Sequence, residues 1–310
     1  MKKELSDFKV EDTASIDKIF LADKSNRTVL LTKEGHSWTV NGQFSARPDM
    51  IQNIMNTIRR IEVKQYVAKS AINNVIKNLA VTATKVEIYQ KGKLTKTYYV
   101  GGPTQDHYGT YMLLDGSDIP FVCYVPGFRG YLTNYYIPIE EEWRDRKIFA
   151  YDISDMASVK VEFVRDPKAS WEITNVDDAH FRLRSLHTGQ ELNNFDTSRV
   201  KDVLRNFKVM GFEAFAQVNP ARMDSVKSKY GLYRVTVNER SGKTKFVDLY
   251  EIPLQPGTLD MMGRPVSVDV DRMYGLVDGK ITTICQYFTF DPVTVPITDF
   301  MPGSYGRQTP

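Results

Sequence analysis

Cysteine is the scarcest chemistry in this chain. Cys123 and Cys285 are the only two in 310 residues, which allows at most one disulfide and no cysteine-based metal framework. Histidine is almost as rare, at four. Charge of one sign is missing too: 41 basic residues face 38 acidic ones, with no block of about five or six like charges. That excludes a nucleic-acid arm or an acidic tail, and no nucleic-acid partner is expected. No run approaches the roughly 18 apolar residues of a membrane-spanning helix. The opening MKKELSDFKV starts with paired lysines but has no apolar run behind them, unlike a secretory signal. GxSxG, HExxH, GxxxxGK[ST], CxxC and GxGxxG do not occur. A non-enzymatic protein with no cofactor and no metal is the expectation.

What is present suits a folded globular chain. At 42% hydrophobic and 25% charged, 310 residues are enough for two domains with separate cores. The chain also repeats itself. EDTASIDKIFLADK (11–24) laid over SDMASVKVEFVRDP (154–167) without a gap matches Asp12 to Asp155, Ala14 to Ala157, Ser15 to Ser158 and Asp23 to Asp166, with Ile16 over Val159 and Phe20 over Phe163. A helical pattern follows in each half. Ile51, Ile54, Met55, Ile58 and Ile61 have the same spacing as Val200, Val203, Leu204, Phe207 and Met210. That spacing puts five apolar side chains on one helix face. Pro48 suits the first turn of one helix, and Asp196 or Thr197 caps the other. Burying such a face contributes on the order of 10 kcal/mol before entropy costs.

The remaining matches keep the same order. Val86 and Ile88 answer Val235 and Val237, with turns at Lys91-Gly92 and Ser241-Gly242. Leu113-Leu114-Asp115-Gly116 answers Leu276-Val277-Asp278-Gly279, Cys123 answers Cys285, and Ile137-Pro138-Ile139 answers Val295-Pro296-Ile297. The expected fold is α+β, two tandem copies of a mainly antiparallel sheet-plus-helix module with one sheet face against the helix. AINNVIKNLA (71–80) is a second short helix of the first copy. The copies are expected at 1–147 and 148–301, with a mobile tail at 302–310.

These features resemble domain-of-unknown-function family 4340, from about Leu5 to Met301. The resemblance rests on the SIDKIFLADK opening strand, on Leu30, Leu31, Lys33, Gly35 and Trp38, on the helix after them, and on Val100-Gly101-Gly102. It implies a bacterial envelope protein, periplasmic or otherwise extracytoplasmic, held by an N-terminal membrane anchor that this sequence does not contain. Related domains accompany gliding-motility and ABC-transporter accessory proteins. The resemblance supplies no catalytic residue.

The most site-like loop is GGPTQDHYGTY (101–111). Gly101 and Gly102 let backbone approach a ligand, and Thr104, Asp106 and His107 offer polar contacts, although a strand-ending turn accounts for the same composition. The second half carries a longer, dissimilar segment there, IPLQPGTLDMMGRPVSVDVDRM (252–273). GFRGYLTNYYIPIEEEW (127–143) gathers Phe128, Arg129, Tyr131, Tyr135, Tyr136 and Trp143, the composition of a protein or sugar interface, or of aromatics turned into the core. His180 and His187 flank a strand-like FRLRSL without sharing a metal, and His36 fits a solvated turn. The stretch from Asp269 to Gly279 departs from the EF-hand template at Met273 and Tyr274. Cys123 and Cys285 read as buried free thiols rather than a disulfide. Asp12-Thr13-Ala14 and Asp224-Ser225-Val226 match a short O-glycan acceptor pattern.

The expected function is a scaffold or accessory subunit that binds a protein partner in a motility, secretion or transport machine of the envelope. The alternative is a small-molecule or glycan-binding module at 101–111 and 131–143. A hydrolase using Asp106 or Asp269 ranks last, because neither has an acid–base partner fixed by the sequence.

Overall fold

A computed structural model describes residues 6–304. The chain divides into two compact units, the first ending at Asp145 and the second starting at Arg146. The tail expected from Pro302 falls, from residue 305 on, outside the described residues.

The first unit runs β1 (Ile16–Ala22), β2 (Thr28–Glu34), β3 (Ser37–Val40), β4 (Phe44–Ser45), α1 (Pro48–Arg60), β5 (Glu62–Tyr66), α2 (Ile72–Thr82), β6 (Thr84–Gln90), β7 (Lys93–Pro103), β8 (Thr110–Leu114), β9 (Phe121–Tyr124) and the short α3 (Glu140–Trp143). Its strands form one sheet of order β4-β3-β2-β1-β6-β7-β8-β9-β5, and every pairing is antiparallel. The β6–β7 hairpin closes on Lys91 and Gly92, both at positive φ, which is what a two-residue turn with the twist of the strands requires.

The second unit runs β10 (Lys147–Phe149), β11 (Met156–Phe163), β12 (Trp171–Asn175), β13 (Phe181–Ser185), β14 (Glu191–Leu192), α4 (Thr197–Arg205), β15 (Met210–Gly211), β16 (Ala214–Phe215), α5 (Pro220–Lys229), β17 (Gly231–Glu239), β18 (Thr244–Pro253), β19 (Val268–Val277), β20 (Ile281–Gln286) and α6 (Tyr287–Phe290). Its large sheet is also antiparallel, ordered β14-β13-β12-β11-β17-β18-β19-β20-β16. Strand for strand this is the order of the first sheet. β10 and β15 add a separate two-stranded pair.

The two helical faces fold as the spacing predicts, with one difference. Ile51, Ile54 and Ile58 of α1 are buried and Met55 is partly so. In the second unit α4 stops at Arg205, a 3-10 turn carries Phe207, and Met210 begins β15, yet all five apolar side chains are still buried. Pro48 occupies the first turn of α1, and the Asp196 carboxylate accepts the Ser198 and Arg199 N–H groups at the start of α4.

The opening match is shifted by three residues in space. Ile16 pairs with Gln90 and a bulge follows before Lys18; Met156 pairs with Glu239 and the same bulge follows before Ser158. Ile19 then faces Ile88 as Val159 faces Val237. Ile16 is therefore equivalent to Met156, not Val159, and Asp12 to Asp152. Burial fixes the register more strongly than shared letters do: in both strands the buried positions are the first, fourth and sixth.

Each sheet packs side chains on both faces, the second face only in part, where the sequence predicts one. In the first unit, Val75 and Leu79 of α2 pack with Val122 against Tyr99, Tyr111 and Leu113, while Tyr98, Met112 and Leu114 point into the main core. In the second unit, Met223 and Val226 of α5 do the same against Tyr274, Tyr250 and Ile284. Strand alternation delivers side chains to both faces, and each face needs its own helix.

Candidate functional site

The connection from β7 to β8, residues 104–109, is tied by its own atoms. Thr104 N–H donates to Gly109 O at 2.9 Å and His107 N–H to Thr104 O at 2.9 Å. The Thr104 hydroxyl donates to the Asp106 carboxylate, which also accepts the Tyr108 N–H at 3.0 Å. His107 turns the chain at a φ of +58°. The hydroxyl of Thr104 first, then the Tyr108 N–H, hold the Asp106 carboxyl below the usual carboxylate range.

This loop borders a cleft of about 330 Å³ lined by Lys64, Tyr66 and Val67 on one side and by Thr104, Asp106 and Tyr111 on the other. Lys64 lies 3.9 Å from Asp106 and donates to Tyr108 O at 3.4 Å. The cleft thus offers one cation, one anion, a hydroxyl and the half-exposed Tyr66 ring, a combination suited to a polar ligand with an apolar face. Lys64 and Tyr66 were not legible as site residues, because their position beside the loop depends on β5 pairing with β9.

The glycines have different roles. Gly101 is buried, and a side-chain carbon there would come within 2.5 Å of Leu79 Cδ2 and 3.0 Å of Tyr111 O. Its backbone is approached by helix α2, not by a ligand, which corrects the sequence reading. Gly102 is exposed with open space around it.

The aromatic segment divides in two. His107 packs against Tyr131, ring centres 5.9 Å apart, so the polar loop does reach the aromatic stretch. Phe128 meets Tyr135 edge to face at 5.7 Å, and both line a smaller cleft of about 180 Å³ with Arg60. Arg129 is exposed. Tyr136 and Trp143, named as candidate interface residues with the core as the alternative, are fully buried, so for these two the interface reading is corrected. The Tyr136 hydroxyl lies 3.1 Å from that of Tyr98, and the Trp143 indole N–H donates to Ile137 O at 2.7 Å. Their polar tips have internal partners, so the rings fill the core.

In the second unit the same connection, from β18 to β19, is the longer hairpin 254–267. Leu254 N–H donates to Ser267 O at 2.9 Å, Val266 N–H to Thr258 O at 3.0 Å, and Leu259 bridges Pro265. At the tip the Asp260 carboxylate accepts the N–H groups of Met262 and Arg264 and the Arg264 guanidinium, at 2.8–2.9 Å. The Arg264 N–H first, and then its guanidinium, keep the Asp260 carboxyl below its ordinary value. Met261 and Met262, between these groups, are fully and largely exposed.

Other candidates resolve simply. His180 and His187 are exposed and flank β13, and His36 is exposed in the β2–β3 turn. Asp269 and Asp271 lie in β19, where the Asp269 carboxylate accepts the Asp271 and Arg272 N–H groups. Among the described residues no group of three His, Cys, Asp or Glu is placed to hold a metal ion, and no helix is long and apolar enough to cross a membrane. Both cysteines are free thiols, buried at equivalent positions of β9 and β20. Thr13 lies in a 3-10 turn and Ser225 on the exposed side of α5.

Searches of curated proteins and of solved structures return no match to this chain. Residues 38–234, from β3 through the first half of β17, match the family described as a domain of unknown function, DUF4340, and the chain belongs to that family.

Proposed function

We propose that the chain is a non-enzymatic scaffold or accessory subunit that binds a protein partner in a motility, secretion or transport machine of the bacterial envelope. The two sheets are read as copies of one module, an α+β unit made twice by duplication. One observation carries the reading: a single strand order occurs twice, and the same connection holds a polar loop beside a cleft in one unit and a methionine-tipped hairpin in the other. Shared strands with different loops give the two units two different surfaces for contact. The envelope location and the anchor rest on the family resemblance.

Crosslinking and affinity purification of the natively produced protein test this. A stoichiometric partner that survives stringent washing is expected, and its loss on shortening either loop. Recovery of the protein alone overturns the proposal.

A second reading rests on the first-unit cleft, where Lys64, Asp106, Thr104 and Tyr66 converge. A small polar molecule or glycan bound there raises the melting temperature in a ligand screen, whereas a scaffold gives no ligand-dependent stabilisation.

A further inference from the structure

Three apolar side chains within four residues, Leu259, Met261 and Met262, are exposed at the tip of the second-unit hairpin, Met261 at 102% of its reference surface. Isolated exposed hydrophobics are ordinary; a cluster on an ordered tip is not. The order is built by Asp260, whose carboxylate takes two backbone N–H groups and the Arg264 guanidinium. The turn is therefore held in shape with its methionines outward, and little ordering remains to be done on contact. Methionine adapts its unbranched side chain to irregular apolar cavities.

Charge narrows the occupant. Arg264 is the hairpin's only cation and is spent on Asp260, so the tip is neutral. At the hairpin's base, Val270 and Phe288 are exposed and line a cleft of about 510 Å³ with Asp271 and Asp291. Asp269 adds a third carboxylate, and Arg272 there is engaged by Glu213 at 2.8 and 3.0 Å. With Arg222 donating to Pro253 O at 3.3 Å, carboxylates still outnumber cations at the base, and an apolar tip over a net acidic base fits an apolar pocket rimmed by cations. It does not fit an anionic bilayer, where inserting segments carry lysine, arginine and aromatic anchors.

We infer that hairpin 254–267 is the docking element of the second unit, and that its occupant is a protein whose apolar pocket, ringed by lysine or arginine, receives Met261 and Met262. This rests on the protein-binding reading above and assigns the element that does the binding.

The test places the photoreactive residue benzoylphenylalanine at position 261 or 262 of the full chain in its source cells. Irradiation is expected to give one protein adduct whose linked peptide combines apolar residues with lysine or arginine. The adduct should fall at least tenfold with Leu259→Asp and, separately, with Asp269→Lys plus Asp271→Lys. These positions are exposed or half-exposed, and an unchanged circular dichroism melt of each variant confirms folding. An adduct to lipid, or a protein adduct indifferent to both sets of changes, overturns the inference. If general amine crosslinking finds a partner while positions 261 and 262 find none, the docking element is wrong and the scaffold reading stands. If neither finds one, both fall.

Discussion

Trp143 donates its indole N–H to the backbone carbonyl of Ile137 at 2.7 Å, and in the second unit Trp171 donates to the matching carbonyl of Val295 at the same distance. The acceptors are equivalent, each preceding Pro-Ile; the donors are not. Trp143 ends α3, whereas Trp171 begins β12. Trp143 O accepts the Arg47 N–H just ahead of α1 as Phe300 O accepts the Asp196 N–H ahead of α4, so Phe300 stands where Trp143 does. Phe300 packs edge to face on Trp171 at 5.1 Å, while Val29 occupies the Trp171 position in the first sheet. The two units thus make the same bond to equivalent carbonyls from tryptophans on different elements.

Trp143→Phe and Trp171→Phe should each destabilise the protein by about 1–3 kcal/mol, combining a lost hydrogen bond with unfilled volume. Urea denaturation followed by circular dichroism measures it. Wild-type midpoints in both variants would show that the bonds contribute nothing.

Gly101→Ala should cost about 1–3 kcal/mol, because the added carbon would sit 2.5 Å from Leu79 Cδ2. Leu79→Ala also destabilises alone, yet in its presence the Gly101→Ala penalty should shrink. A double-mutant cycle with no coupling would contradict this packing.

The Asp106 carboxyl should titrate below a free aspartate when followed by NMR, with the Thr104 hydroxyl as the leading cause. Thr104→Val should move that titration upward. Its place beside the cleft makes the shift a reporter of ligand entry as well.

Lys85 and Glu87 pair at 2.6 Å on β6, and Tyr89 donates to the same carboxylate at 2.8 Å. The bond from Lys85 is the leading cause that lowers the Glu87 value, and the bond to Glu87 is the leading cause that raises that of Lys85. The Glu87 contribution is present above its unfolded pKa and is lost as pH falls through the lowered folded value. The Lys85 contribution is complete below its unfolded pKa and is lost as pH rises through the raised one. Glu87→Gln should therefore flatten the acid limb of stability against pH, by no more than about 1 kcal/mol for a pair this exposed.

Burial pushes the Cys285 thiol up to about 12 and the Cys123 thiol higher still. Neither should react with a disulfide reagent in the native protein, and both should react in urea. Rapid native labelling of either would place it outside the core.

The helix faces were legible because apolar residues recur at helical spacing, although Phe207 is buried from a 3-10 turn and Met210 from a strand, and the paired turns because Lys91-Gly92 and Ser241-Gly242 interrupt alternating strands. The opening register was not. Asp12 and Asp155 share a letter, but Asp12 accepts the Ser15 N–H ahead of β1, whereas Asp155 reaches back to the Asp152 N–H. The site was half legible: the polar loop stood out by composition, while Lys64 reaches it only through the pairing of β5 with β9. Tyr136 and Trp143 stayed between interface and core on the sequence alone, because Tyr136 lies in a segment without strand alternation and Trp143 ends a helix of only four residues.

Both variable connections leave their ladders at a proline, through irregularities of different size. Pro103 pairs with Thr110 and Pro253 with Val268, each just beyond the irregularity. Whatever length of chain is spliced between such a closing pair, the strands beneath keep their partners. The difference between the units is thereby confined to the connection, which spans six residues in one and fourteen in the other while the strand order beneath is the same.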